Sequence, residues 1–235
     1  MEIKAADVAK LRKMTGAGMM DCKKALIEAE GDYDKAQDII RERGKLVAAK
    51  RADRSATEGV VVSKIVGQKG YMLCLACETD FVAKNSEFSA TANEILDIAI
   101  AADAADLEAL NAVAADGRTV ADKVTEKSGQ TGEKVELVYY AKIEAPMCVT
   151  YIHTNHKLGT LIGFNKEIGM EVAKDVAMQA AAMAPISISR EDCDPAVIEH
   201  ERSIGREQAR LDGKPEAMLD KIAEGKVNKF LTENT

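Results

Sequence analysis

Over residues 1–45 apolar positions recur at three- and four-residue intervals, the spacing of helices that each bury one face. Val8 and Leu11 share a face in a first helix that Thr15-Gly16-Ala17-Gly18 ends with turn residues. Met19, Cys22 and Leu26 form the buried stripe expected of a second helix over 19–28, and Met20 lies about 100° away around it. A third helix starts at an Asp32 cap, buries Ala36, Ile39 and Ile40, and is expected to stop at Gly44. The Lys/Arg/Ala-rich segment that follows reads as a partly helical, solvated linker.

From residue 57 the period changes. Segments 59–66 and 71–77 read as strands joined by Gly67-Gln68-Lys69-Gly70 in a hairpin. A helix over 86–103 carries Phe88, Ala92, Ile95 and Ile98 in phase, and shorter helical pieces cover 106–114 and 118–128. Strands are then expected at 135–143, 147–152 and 158–164, before an Ala- and Met-rich helix over 168–183. Strand–turn–strand–helix thus occurs twice, which predicts two related subdomains, each a small antiparallel sheet with helices on one face. Beyond Pro195, Val197, Ile204 and Leu211 stand seven residues apart. Asp212-Gly213-Lys214-Pro215 makes a turn, and Met218, Ile222 and Phe230 follow. This predicts an antiparallel helical hairpin with a narrow apolar seam, projecting from the body and suited to a partner or homodimer contact. The expected class is α+β: a three-helix domain at 1–45, a linker at 46–56, core subdomains at 57–132 and 133–190, and the hairpin at 191–235.

Composition narrows the class. With 46% hydrophobic and 30% charged residues in 235, the chain is an ordinary globular protein with enough length for a proper core. The net charge of -7 argues against general nucleic-acid binding. It is unevenly spread, +3 over residues 1–54 and -10 over the rest. Met1-Glu2-Ile3-Lys4 leads straight into a charged helix, so no signal peptide is expected, and no apolar run has membrane length. Five scattered cysteines, an odd number, fit a reducing cytoplasm better than a disulfide framework.

Catalytic and metal chemistry find little purchase. Cys74-Leu75-Ala76-Cys77 has the spacing of a zinc or redox pair, but residues three apart on a strand point to opposite faces. His153-Thr154-Asn155-His156 lacks a supporting carboxylate cluster. Gly16-Ala17-Gly18 lies between helices and lacks the Gly-Lys-Ser/Thr ending of a phosphate loop. No Ser/His/Asp or Cys/His set stands out, so the chain does not read as an enzyme, and neither metal nor cofactor is expected.

The most informative stretch is Cys77-Glu78-Thr79-Asp80-Phe81-Val82-Ala83-Lys84, where a strand ends shortly before a helix. A large apolar side chain left in water costs roughly 1.5–3 kcal/mol. Phe81 therefore either caps the local core or is held for a partner. Met20 is likewise an ordinary surface methionine or a contact, and the hairpin a solvated arm or a grip. Together they suggest a protein that holds another at several separated points.

Met14-Thr15-Gly16-Ala17-Gly18-Met19-Met20-Asp21-Cys22-Lys23-Lys24-Ala25-Leu26 closely resembles the N-terminal signature of the bacterial elongation factor Ts family. Glu78-Thr79-Asp80-Phe81-Val82-Ala83-Lys84 resembles its second signature. Tyr151-Ile152-His153 with Leu158-Gly159-Thr160-Leu161 is similar to a third region, and Gly213-Lys214-Pro215 with the segment from Lys221 to Phe230 resembles the hairpin.

The resemblance implies a guanine-nucleotide exchange factor for elongation factor Tu, binding it in GDP-bound and nucleotide-free forms and doing no covalent chemistry. It implies that Thr79, Asp80, Phe81 and Val82 insert into the partner and dislodge its Mg²⁺, with Phe81 as the apolar wedge and Asp80 its polar neighbour. Arg12, Met19, Met20 and Lys23 would dock the N-terminal bundle, and His153 would touch the partner or hold the inserted segment. It also implies more strand and helix for the second subdomain after the hairpin, so that subdomain is expected to be incomplete at its C-terminal side. The rival expectation is a non-catalytic adaptor, because the three-helix head resembles ubiquitin-associated domains in outline. A redox enzyme built on Cys74 and Cys77 comes a distant third.

Overall fold

The computed structural model describes residues 3–235, so the part of the N-terminal reading that rests on Met1 and Glu2 lies outside the described residues. The fold is α+β, and the chain divides into two units after Ala177.

The first unit opens with α1 (Ala5–Thr15), α2 (Met19–Glu28) and α3 (Tyr33–Lys50). Val8, Leu11, Cys22, Ala25, Leu26 and Ala36 form their common core. Gly16, at φ 68°, ends α1 in the left-handed conformation glycine adopts freely. Asp32 caps α3 by accepting from the amides of Asp34 and Lys35. Two expectations are corrected here. Met19 is 43% exposed, because it opens α2 and no preceding turn covers it. Gly44 does not stop α3 but is buried within it, and the helix continues to Lys50 through the start of the expected linker.

The reason for that continuation is a tertiary contact. α3 crosses α7 (Val120–Thr131) where Gly44 faces Gly129, and a Cβ on Gly129 would stand 2.4 Å from the Gly44 Cα. At position 129 only glycine admits so close an approach. Gln130 Nε2 donates to the Thr15 carbonyl at 2.6 Å beside the crossing, and Arg41 pairs with Glu126 at 3.6 Å.

The body is layered. β1 (Glu58–Val66) and β2 (Lys69–Cys77) form an antiparallel hairpin with a two-residue turn at Gly67-Gln68, tighter than the four-residue connection expected. β5 (Glu136–Glu144) adds to β2, giving the order β1-β2-β5. The strand expected to open the second subdomain therefore completes the first sheet. A register shift opposite Cys74 and Leu75 lets Leu137 and Tyr140, three residues apart, both turn into the core while Val138 and Tyr139 face out.

Against this face pack Phe88, Ala92, Ile95, Leu96 and Ala99 of α5 (Ser86–Ala102), with Leu110 of α6 (Leu107–Ala112) and Val120 and Val124 of α7. A short ladder, β3 (Ala114–Ala115) with β4 (Arg118–Thr119), precedes α7 and was not legible in the sequence.

On the opposite face lies the hairpin of β6 (Met147–Ile152) and β7 (Gly159–Phe164). Ser63 and Thr150 share a hydroxyl–hydroxyl hydrogen bond of 2.6 Å across the gap, and a Cβ on Gly70 would meet Leu161 at 2.5 Å. The hairpin's far side, Val149 with Met147, Tyr151, Ile162 and Phe164, receives Ala173 and Ala177 of α8 (Met170–Met183). The layers thus run helix, sheet, hairpin, helix.

Asp103 fixes one corner. It ends α5 at φ 48° and accepts from Lys69 Nζ, Lys142 Nζ and the Tyr71 hydroxyl at 2.9, 3.2 and 3.0 Å. The Lys69 hydrogen bond, reinforced by Lys142 and Tyr71, holds its carboxyl down at about 2. That lies below the ordinary aspartate value of about 3.9. The stabilisation is therefore present above pH 4 and is lost as pH falls toward 2. Asp103→Asn tolerates the left-handed backbone, so it removes the charge and one acceptor oxygen without straining the chain. Melting temperatures should show the variant below wild type at pH 7 and the gap closing below pH 4; a gap independent of pH would contradict the assignment.

The second unit is a helical hairpin of α9 (Pro195–Leu211) and α10 (Glu216–Asn234). Its seam is narrow, as expected, but its phase differs. Leu219, Ala223, Val227 and Leu231, four residues apart, are buried on α10, opposite Gly205 and Ala209 on α9. Ile204, Leu211 and Met218, expected in the seam, are exposed, and Ile222 and Phe230 lie half-buried at its edge. Gly205 sits against Ala223, where a Cβ would be 3.1 Å from the Ala223 Cα, so small residues set the approach. Arg202–Glu224 and Arg206–Asp220 pairs flank it. Among the described residues no helix is long and apolar enough to cross a membrane.

Candidate functional site, an exposed aromatic at a strand–helix corner

The β2 ladder runs out at Cys77, and the chain turns through Glu78 and Thr79 into α4 (Asp80–Ala83), a single helical turn absent from the sequence expectation. Thr79 caps it, its hydroxyl accepting from the Val82 amide at 3.5 Å. The turn sorts its side chains. Ala83 is buried in the sheet–α5 core and Val82 packs against it, while Asp80 and Phe81 face away. Phe81 is 85% exposed, the most exposed aromatic among the described residues. The reading of Phe81 as a cap on the core is thereby excluded: Val82 and Ala83 fill that role.

Electrostatics surround this side chain with fixed charge. Lys84 Nζ donates to Asp80 Oδ2 at 2.5 Å, and this hydrogen bond holds the Asp80 carboxyl below its ordinary value, with Lys157 adding attraction. Lys157 comes from the β6–β7 loop and also pairs with Glu58 at the start of β1. The same loop is pinned by the Val61 amide donating to the His156 carbonyl at 2.7 Å.

Beneath the corner two carboxylates cross. Glu133 Oε2 accepts from the amides of Glu78 and Thr79 at 3.1 and 3.0 Å, and its Oε1 accepts from the Thr79 hydroxyl at 2.6 Å. In return Glu78 Oε1 accepts from the Lys134 amide at 2.6 Å, and both Glu78 oxygens take Arg51 Nη1 at 3.3 and 3.1 Å. Sequence reading missed Glu133, Arg51 and Lys157. No local pattern marks a carboxylate that meets its partner only through the fold.

The remaining predicted residues fall in two other places. Arg12, Met19, Met20 and Lys23 are exposed on α1 and α2, Met20 at 63%. Arg12 and Met19 line a cleft of about 780 Å³ between the head and α5 and α7, along with Arg41, Arg118, Glu126 and Lys127. Burial in that wall pulls the Lys127 ammonium below its ordinary value. His153 is exposed on the β6–β7 loop, its ring Nδ1 hydrogen-bonded to the Tyr151 hydroxyl at 2.8 Å. It belongs to the loop that carries Lys157 toward Asp80.

The Cys74/Cys77 pair behaves as the strand geometry predicts. Cys77 lies in the core on the α5 side, and burial pushes its thiol up to about 11; burial raises the Cys74 thiol too. Neither thiol is poised as a thiolate. Among the described residues no group of three or more Cys, His, Asp and Glu side chains is arranged to hold a metal ion.

Comparison with known proteins places this geometry in a family. Residues 78–235, which include the clasped corner, match the family model described as elongation factor TS. The elongation factor Ts of Porphyromonas gingivalis is 48% identical over 236 residues, covering 100% of this chain and 86% of the relative. That of Amoebophilus asiaticus is 48% identical over 240 residues, covering 100% and 87%. That of Bacteroides thetaiotaomicron is 44% identical over 229 residues, covering 97% and 69%. A match of this extent, carrying the exposed Asp80-Phe81 corner within it, shows that the chain belongs to the elongation factor Ts family of translation factors.

Proposed function

We propose that the chain is a guanine-nucleotide exchange factor. It binds elongation factor Tu carrying GDP, inserts Thr79-Asp80-Phe81-Val82 into the nucleotide domain, and dislodges the partner's Mg²⁺ so that GDP leaves and GTP rebinds. The observation that carries this reading is Phe81, held out in water on a turn whose Val82 and Ala83 are anchored at the core. GTPases hold GDP through backbone amides and a Mg²⁺ that bridges phosphate oxygens to protein, so a protein acting from outside must disturb that arrangement mechanically. The role asks no covalent chemistry of this chain.

Energetics explain why more than one contact is needed. Weakening GDP a thousandfold takes about 4 kcal/mol of coupling. Burying one phenylalanine supplies roughly 1.5–3 kcal/mol. The balance falls to a separate grip, for which Arg12, Met19, Met20 and Lys23 on the head are suited: they are exposed, and methionine adapts to irregular surfaces. His153, exposed on the neighbouring loop, touches the partner or holds the inserted segment.

Coupling is reciprocal. If the chain expels GDP, calorimetry must find it binding nucleotide-free elongation factor Tu more tightly than the GDP-bound form, by the same factor. Equal affinities for the two forms would contradict exchange.

A further inference from the structure

We propose that Glu133 is a positioning residue for the exchange segment, holding Thr79 and its turn so that Phe81 meets the partner already oriented. The assignment rests on the exchange reading above. A four-residue helical turn has no stability of its own, since forming the first turn fixes several residues for a single hydrogen bond. Something outside the turn must define it, and the cap from Thr79 to Val82 is long at 3.5 Å.

Glu133 supplies what is missing. One carboxylate accepts two successive amides and the hydroxyl of the capping residue itself. Because Thr79 donates its proton to Glu133, its remaining lone pairs are turned toward the Val82 amide; the same bond that anchors the residue orients the cap. Glu78 returns a bond to the Lys134 amide, so residues 78–79 and 133–134 lock each other, and Arg51 keeps the Glu78 carboxylate in place.

The lock also sits where it is needed. The paired residues of β2 and β5 end at Ala76 and Glu136, and the clasp lies just beyond them, at the root of the segment rather than within the sheet. A phenylalanine fixed this way meets its partner with the ordering cost already met, which lowers the barrier to insertion without adding a contact to the partner.

The test is a thermodynamic cycle in stimulated release of fluorescent GDP from elongation factor Tu. Glu133→Ala should lower the maximal rate about tenfold while moving the half-saturating concentration less than about threefold. Glu133→Gln, whose amide oxygen still accepts from both backbone amides but whose amino group cannot accept the Thr79 proton, should recover only part of the rate. In a Phe81→Ala background Glu133→Ala should cost nothing further, because its effect runs through Phe81; a general loss of structure would add. Thr79→Val removes the hydroxyl arm together with the cap it orients and should lower the rate at least as far, which covers the case in which Glu133→Ala fails to fold. A full rate in Glu133→Ala, or losses that add to those of Phe81→Ala, would overturn the assignment while leaving exchange itself standing. A full rate in Phe81→Ala alone would instead remove the exchange reading and this assignment with it.

Discussion

Phe81→Ala should lower the rate of stimulated GDP release by about 10- to 100-fold, the kinetic equivalent of one lost phenylalanine burial at 1.4 kcal/mol per tenfold. Its melting temperature should stay at that of wild type, because a side chain 85% exposed contributes little to the folded state. The combination is diagnostic. A residue that served the core would lose stability and activity together, whereas this one is expected to lose only activity. Binding to elongation factor Tu should weaken modestly, since the grip proposed for the head is separate from Phe81. Stopped-flow release rates beside thermal melts check both halves, and wild-type stimulation by the variant would remove Phe81 as the wedge.

Gly129→Ala should be the most destabilising small substitution at the α3–α7 crossing, by about 1–3 kcal/mol, the usual cost of overpacking. The methyl group would stand 2.4 Å from the Gly44 Cα, a backbone atom that cannot rotate away. The mirror substitution behaves differently. A Cβ on Gly44 would sit 3.6 Å from the Gly129 Cα, ordinary contact, so Gly44→Ala should be neutral or gain up to about 1 kcal/mol from better helix propensity. Denaturant unfolding of both variants, with limited proteolysis over 46–56, measures the asymmetry. Equal effects at the two glycines would contradict the close crossing.

These cases show what a sequence can carry. The three head helices and the core strands were legible because periodicity and capping residues are local: Asp32 before α3 and Gly16 after α1 act within a few residues of themselves. The special character of Phe81 was legible too, as a large apolar residue stranded between a strand and a helix. Gly44 misled because a glycine ends a helix only where nothing else holds it, and what holds this one is Gly129, remote in sequence. The hairpin's phase misled for a related reason. Counting large apolar residues favours Ile204, Leu211 and Met218, but the seam is set by Gly205 and Ala223, whose smallness brings the helices together.

The strand at β5 was found but given to the wrong sheet, since strand periodicity names a face and not a neighbour. The same limit hid Glu133. Its hydrogen bonds to Glu78 and Thr79 exist only once β5 lies beside β2, so the residues that orient the candidate site are legible in the fold alone.

Exchange requires that this chain drive nucleotide release rather than merely bind a GTPase. Stopped-flow measurement of fluorescent GDP leaving elongation factor Tu, with increasing amounts of the wild-type chain, addresses it directly. The release rate should rise with concentration and saturate far above the spontaneous rate. Saturable binding with release left at the spontaneous rate would contradict exchange and make the protein an adaptor.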